Sequence, residues 1–173
     1  SSDLLPVFAT CSINHLSFNE LDIGDYRTFY KLNPPLRTED DREALIEGLT
    51  DGLVDIIVSA HAPAPAEDKR LPYDEAAPGA VGLETLLPAL LSLHHERGLP
   101  LADLLRAVTL APANLLNLKA GRIAQGAPAD LVLCDIDAPV VIDADALVSK
   151  SKNSPFDGRR LQGRVRRTLV EGR

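Results

Sequence analysis

Four histidines and a few polar loop residues are this chain's candidates for chemistry. His61 is the best placed. It stands in "DIIVSAHAPAPAEDK" (55–69), where an apolar, β-branched run ends abruptly in Ala60-His61-Ala62-Pro63. A buried strand that ends in a polar turn is where α/β barrels place their reacting groups. An imidazole there can ligate a metal, contact a ligand or partner, or simply hold a loop. Its neighbours Ala60 and Ala64 have no proton to move and no lone pair for a metal. His15 follows Asn14 in "CSINH" (11–15), after another apolar run. A catalytic zinc wants about three protein ligands and an open position. His15 is a weak candidate for one of them, and an amide oxygen at Asn14 is a poor ligand beside imidazole. Asn33 and Arg37 in "NPPLR" offer an amide and a carboxylate-binding fork; they also suit a rigid Pro34-Pro35 turn. His94 and His95 lie at the end of a leucine-rich helix and read as solvated surface.

The elements that would hold these groups alternate between strand and helix. Leu4 to Thr10 reads as a short buried strand. A long polar and aromatic connection follows to Arg37, and long connections in compact domains are usually functional. "TEDDREALIEGLTDG" (38–52) reads as a helix, capped by Thr38 with Asp41 three positions on and acidic residues in its first turn. "LVDIIVSA" (53–60) is the next strand, and helix followed by buried strand is half of an alternating α/β unit. A proline-rich loop spans 61–80. Helices are then expected over about Leu83 to Arg97, with Pro88 near its first turn, over "PLADLLRAVTL", and briefly over "APANLLNL". Beyond about Leu118 the chain turns rich in Val, Ile and Gly, and it ends in the alternating "LQGRVRRTLVEGR". The division expected is 1–118 and a β-rich unit over 119–173.

Bulk composition narrows the classes. The chain has 173 residues, 45% of them hydrophobic, and a net charge of −7. That argues for a sizeable core and against nucleic acid or an anionic membrane as the main partner. The basic cluster Arg159 to Arg167 alternates with apolar residues and reads as the wet face of a strand. Two cysteines without CxxC spacing read as reduced thiols, in keeping with a cytoplasmic protein. No run approaches the roughly 18 apolar residues of a membrane span. The chain contains no Met, and it is expected to be a piece of a longer product.

Four stretches carry a resemblance: "YKLNPPLRTEDDREALIEGLTDG", "VGLETLLPALL", "AGRIAQGAPADLVLCD" and "SKSKNSPFDGRRLQGRV". In this order they resemble the C-terminal half of dihydroorotases, within the cyclic amidohydrolases. Gly121 to Val132 is shared across that superfamily, whereas "NPPLR" with "SKNSPFDG" is narrower. The resemblance implies the second half of a metal-dependent (β/α)8 barrel followed by strands of a small β-sandwich. A full barrel needs about 250 residues, so an N-terminal half would supply the rest, including the paired-histidine motif.

The family reaction interconverts N-carbamoyl-aspartate and dihydroorotate, in pyrimidine biosynthesis. A bound metal, zinc in an active member, polarises a carbonyl and acidifies a water. The resemblance places the general-base carboxylate at Ala60, a substrate histidine at Ala64, and a metal-ligand histidine at Asn14. Losing a general base alone costs about 10²- to 10⁴-fold. The substrate side is better kept, at Asn33, Arg37, His61 and the Pro78-Gly79 backbone. The expectation is therefore a non-catalytic member, without zinc, kept for its shape and paired with aspartate carbamoyltransferase. The rival expectation is an active zinc amidohydrolase completed by the N-terminal half. A third is a sensor of an orotate-like molecule through Asn33 and Arg37.

Overall fold

A computed structural model describes residues 7–173. Two short strands form its centre, β1 (Thr10–Ser12) and β2 (Ile56–Val58), parallel and in register with Thr10 opposite Ile56 and Ser12 opposite Val58. The strand expected over Leu4 to Thr10 falls partly outside the described residues. The ladder sits later, because Ala9 only begins the pairing, its carbonyl accepting from the Asp55 and Ile56 amides. β2 is likewise shorter than "LVDIIVSA". Beyond β2, a separate parallel bridge pairs His61 with Ala80.

The connection from β1 to Arg37 is not a featureless loop. Ser12 caps a five-residue helix, α1 (Ile13–Ser17), its hydroxyl accepting from the Asn14 amide at 3.1 Å. Phe18 after α1 is buried and meets Tyr30 edge-on at 5.2 Å and Phe156 at 4.6 Å. Such contacts add about 0.5–1.5 kcal/mol beyond the area they bury. The next helix, α2 (Glu39–Thr50), begins where its capping box predicts. The Thr38 hydroxyl accepts from the Asp41 amide, and the Asp41 carboxylate accepts from the Thr38 amide, both at 3.2 Å. Arg42 pairs with Glu39 and Glu43 and donates to the Leu16 carbonyl, which ties α2 to α1.

A single turn, α3 (Ala66–Lys69), lies inside the proline-rich loop. It is followed by α4 (Leu86–Arg97), α5 (Leu101–Val108) and α6 (Leu110–Leu115). α4 starts later than Leu83, so Pro88 is its third residue, where a missing N–H costs nothing. Ala89, Leu90, Leu91 and Leu93 are all buried, because α4 is covered on two sides. One cover is the tail hairpin, β3 (Leu131–Val141) paired antiparallel with β4 (Arg160–Leu169). Gly163 makes that packing possible: with φ +111°, a Cβ there would sit 2.3 Å from a Leu91 methyl.

His94 and His95 differ from the expectation. They are half-buried, not solvated, and each ring nitrogen finds a carbonyl: Leu99 at 2.8 Å from His94 and Ile136 at 3.0 Å from His95. His95 thus joins α4 to the hairpin. Both cysteines are free, and burial pushes the Cys11 thiol up to about 11. Among the described residues, no helix is long and apolar enough to cross a membrane.

Candidate functional site

Because β1 and β2 are parallel and in register, the segments that leave their C-terminal ends emerge on one side. One carries Asn14 and His15, the other Ala60 and His61. The larger cleft, about 570 Å³ and lined by Phe8, Val54, Asp55, Asp103 and Arg106, involves residues before the two strands. It therefore lies at the opposite end, away from the side on which barrels do chemistry.

His15 is half-buried and its Nε2 lies 3.0 Å from the Pro34 carbonyl. A carbonyl only accepts, so Nε2 carries the proton and Nδ1 keeps its lone pair. His61 has the opposite tautomer. Its Nδ1 accepts from the Gly82 amide at 3.1 Å, so the proton sits on Nε2 and that edge of the ring is a donor. A metal-binding imidazole needs its free nitrogen unprotonated, with the other N–H given to an acceptor. His15 meets that condition and His61 does not.

The remaining positions supply no further ligands. Ala60 is exposed and sits at φ +47°, in the left-handed region. Asp and Asn enter that region more readily than Ala, so the backbone suits a residue that this chain lacks. Ala64 is buried, and its amide donates to Asn153 Oδ1 at 3.3 Å. Asn14 is 1% exposed, and among the described residues neither its Oδ1 nor the buried Ser17 hydroxyl, one turn further along α1, has a partner. Residues three apart share a helix face, so the two residues lie on one side of α1. Among the described residues no three His, Cys, Asp or Glu side chains gather closely enough for a metal ion. The donors present here do not fit a zinc site by themselves.

Asn33 and Arg37 are both exposed, and among the described residues neither side chain makes a hydrogen bond. Arg37 acts through its backbone, whose carbonyl accepts from the Glu20 amide at 2.7 Å. The fold does bring the 31–34 segment to the His loops: Pro34 meets His15, and the Lys31 carbonyl accepts from the Gly79 amide at 2.8 Å. Gly79 has φ +116°, and a Cβ there would lie 2.7 Å from that of Ala62, so only glycine permits this approach. Pro78 before it is exposed.

Two residues that matter here were not among the sequence candidates. Asn153, 2% exposed, pins both loops. Its Nδ2 donates to the Ala62 and Gly79 carbonyls at 3.1 and 3.0 Å, its Oδ1 takes the Ala64 amide, and its backbone carbonyl takes the Val81 amide. It lies in "SKNSPFDG", so its motif was visible while its partners were not. Lys69, 4% exposed, donates to the Thr28 carbonyl at 2.9 Å. Desolvation, helped by the charge of Lys31, brings its ammonium down to about 8. Nothing in "AEDK" signals that burial.

Comparison with known proteins agrees with this architecture. A family model described as "Amidohydrolase family" matches residues 10–173. A dihydroorotase of Ehrlichia chaffeensis (strain ATCC CRL-10679 / Arkansas) is 46% identical over 166 residues, which is 95% of this chain and 37% of that protein. A dihydroorotase of Anaeromyxobacter sp. (strain K) is 43% identical over 171 residues, covering 98% of this chain and 40% of that protein. Among solved structures, an L-hydantoinase (dihydropyrimidinase) from Arthrobacter aurescens matches with a TM-score of 0.90 and 32% identity, over 96% of this chain and 38% of that one. A D-hydantoinase from Thermus sp., at 24% identity and a TM-score of 0.88, shares the fold. The chain thus spans well under half the length of these relatives, and its mixed α/β fold is that of a partial barrel.

Proposed function

Since the chain belongs to the amidohydrolase family, with dihydroorotases among its relatives, we propose that it is part of a dihydroorotase-like protein of pyrimidine biosynthesis that no longer hydrolyses cyclic amides. The reading rests on the rim. Ala60 and Ala64 stand where the resemblance calls for a base and a substrate histidine, and Asn14 where it calls for a metal-ligand histidine. The loops themselves are held firmly by Asn153 and by the close Gly79–Ala62 approach. Preserved shape with lost reacting groups is the pattern of a scaffold. The partner that the resemblance implies is aspartate carbamoyltransferase. Co-expression of the two full-length products tests this, with one stoichiometric complex expected on size exclusion at micromolar concentration. Separate elution of the two would remove the assembly role.

A second reading has its own support. His15 holds the tautomer of a metal ligand, with Nε2–H on Pro34 and Nδ1 open, and the 46%-identical relative carries the name of an enzyme. An active site completed by residues outside this chain would use His15 as one ligand. Zinc, if held there, would polarise the scissile carbonyl and acidify the attacking water. His61 Nε2–H would then serve as a donor to substrate.

A further inference from the structure

Beside the His61 loop, a small pocket of about 120 Å³ opens between α3 and residues 150–153. That is roughly the volume of four waters, room for one small anion. Lys69, Lys150 and Lys152 line it, with Ala64, Ser151 and Asn153, and no lining residue is acidic. Lys31 adds a fourth charge, close enough to be felt by Lys69.

These lysines are not neutralised. Every ion pair among the described residues is made by an arginine. The lysines meet carbonyls instead: Lys69 meets Thr28, Lys31 meets Asp74 at 2.9 Å, and Lys152 meets Asp145 and Leu147 at 3.1 and 2.6 Å. A carbonyl satisfies an N–H without cancelling its charge. Lysine is almost never fully buried unless paired, yet Lys69 is 4% exposed and its Nζ makes a single hydrogen bond. A chain of net charge −7 thus places three lysines around one cavity whose lining holds no acidic residue.

We propose that this pocket binds a small doubly charged oxyanion, of the size of phosphate or malonate, between Lys69, Lys150 and Lys152. The pocket adjoins the histidine rim through Ala64 and Asn153, but its lysines stand apart from the rim's reacting positions, so binding there does not depend on whether that rim is catalytic. Bound there, the anion supplies the counter-charge that buried Lys69 lacks.

The test is calorimetric titration of the full chain with inorganic phosphate, and in a parallel arm with malonate, at constant ionic strength. Trace acylation of Lys69 by acetic anhydride at pH 8, read by mass spectrometry, follows occupancy, because an anion keeps the amine protonated and slows its reaction. Saturable binding of either anion is expected, with Lys69 protected along the same curve. Lys150 is exposed, so Lys150→Gln preserves the fold, and it should weaken binding about fivefold by removing one partly screened charge. The two arms identify which oxyanion fits. Absence of saturable binding by both anions at millimolar concentration overturns the proposal, as does binding that ignores Lys150→Gln and leaves Lys69 unprotected.

Discussion

Replacing Asn153 by Asp changes one atom's chemistry and almost no volume, so it isolates what the side-chain amide does. Asn153 donates to two carbonyls, Ala62 at 3.1 Å and Gly79 at 3.0 Å, and accepts from the Ala64 amide. In Asp the acceptor survives and both donors go. Each lost bond is worth about 1 kcal/mol net, and each part-buried carbonyl left without a partner adds to that. The carboxylate would also be buried at a position only 2% exposed, facing two oxygens, so it must take up a proton or pay for desolvation. The sum is a loss of about 3–5 kcal/mol, a large share of the roughly 5–15 kcal/mol of a typical domain. Asn153→Ala should cost less, about 2–4 kcal/mol, because the adjoining pocket lets water reach the freed groups. Urea unfolding gives both values from shifts in the midpoint at constant slope. Amide exchange should quicken at Ala62, Ala64 and Val81 in both variants. If Asn153→Asp unfolds within about 0.5 kcal/mol of the parent, the amide is not the clip that holds the two loops.

Ala60→Gly should stabilise the chain by about 1 kcal/mol, since Ala at φ +47° bears a left-handed penalty that glycine does not; an unchanged or lowered midpoint would show that the turn is relaxed. The helix α2 start should weaken in acid. Hydrogen bonds from Arg42, then Asn19, hold the Glu39 carboxyl at about 2, below its usual 4.5, and the Thr38 contacts lower Asp41 likewise. A lowered folded value means stability that is fully present above about pH 4.5 and lost as pH falls toward about 2. Both carboxylates are exposed, so the effect is small and shrinks with salt; stability that rises on acidification through that window would contradict it.

What the sequence made legible was local. The α2 start depends on Thr38 and Asp41, three positions apart, and both halves of the box formed. The strand before His61 is an apolar run with a clear stop, and β2 lies within it. α1 escaped notice because five residues, INHLS, show no periodic face; Phe18 packing on Tyr30 and Phe156 holds that segment, and those partners are far away in sequence. The same distance hid the roles of His95, which reaches Ile136, and of Asn153, which reaches back to residues 62, 64 and 79. Composition could not assign histidine tautomers either, since each depends on one backbone group, the Pro34 carbonyl for His15 and the Gly82 amide for His61. Asn33 and Arg37 stay exposed, and among the described residues their side chains make no hydrogen bond, so a substrate role for them is a proposal resting on their residue types and on the loop that carries them.

Dihydroorotate hydrolysis by the full-length product, followed spectrophotometrically with zinc added and in a metal-free control, tests the inert rim most directly. A rim with methyl groups at 60 and 64 and an amide at Asn14 predicts equal background rates in both. Zinc-dependent turnover that disappears on His15→Ala would contradict it and establish a working metal centre.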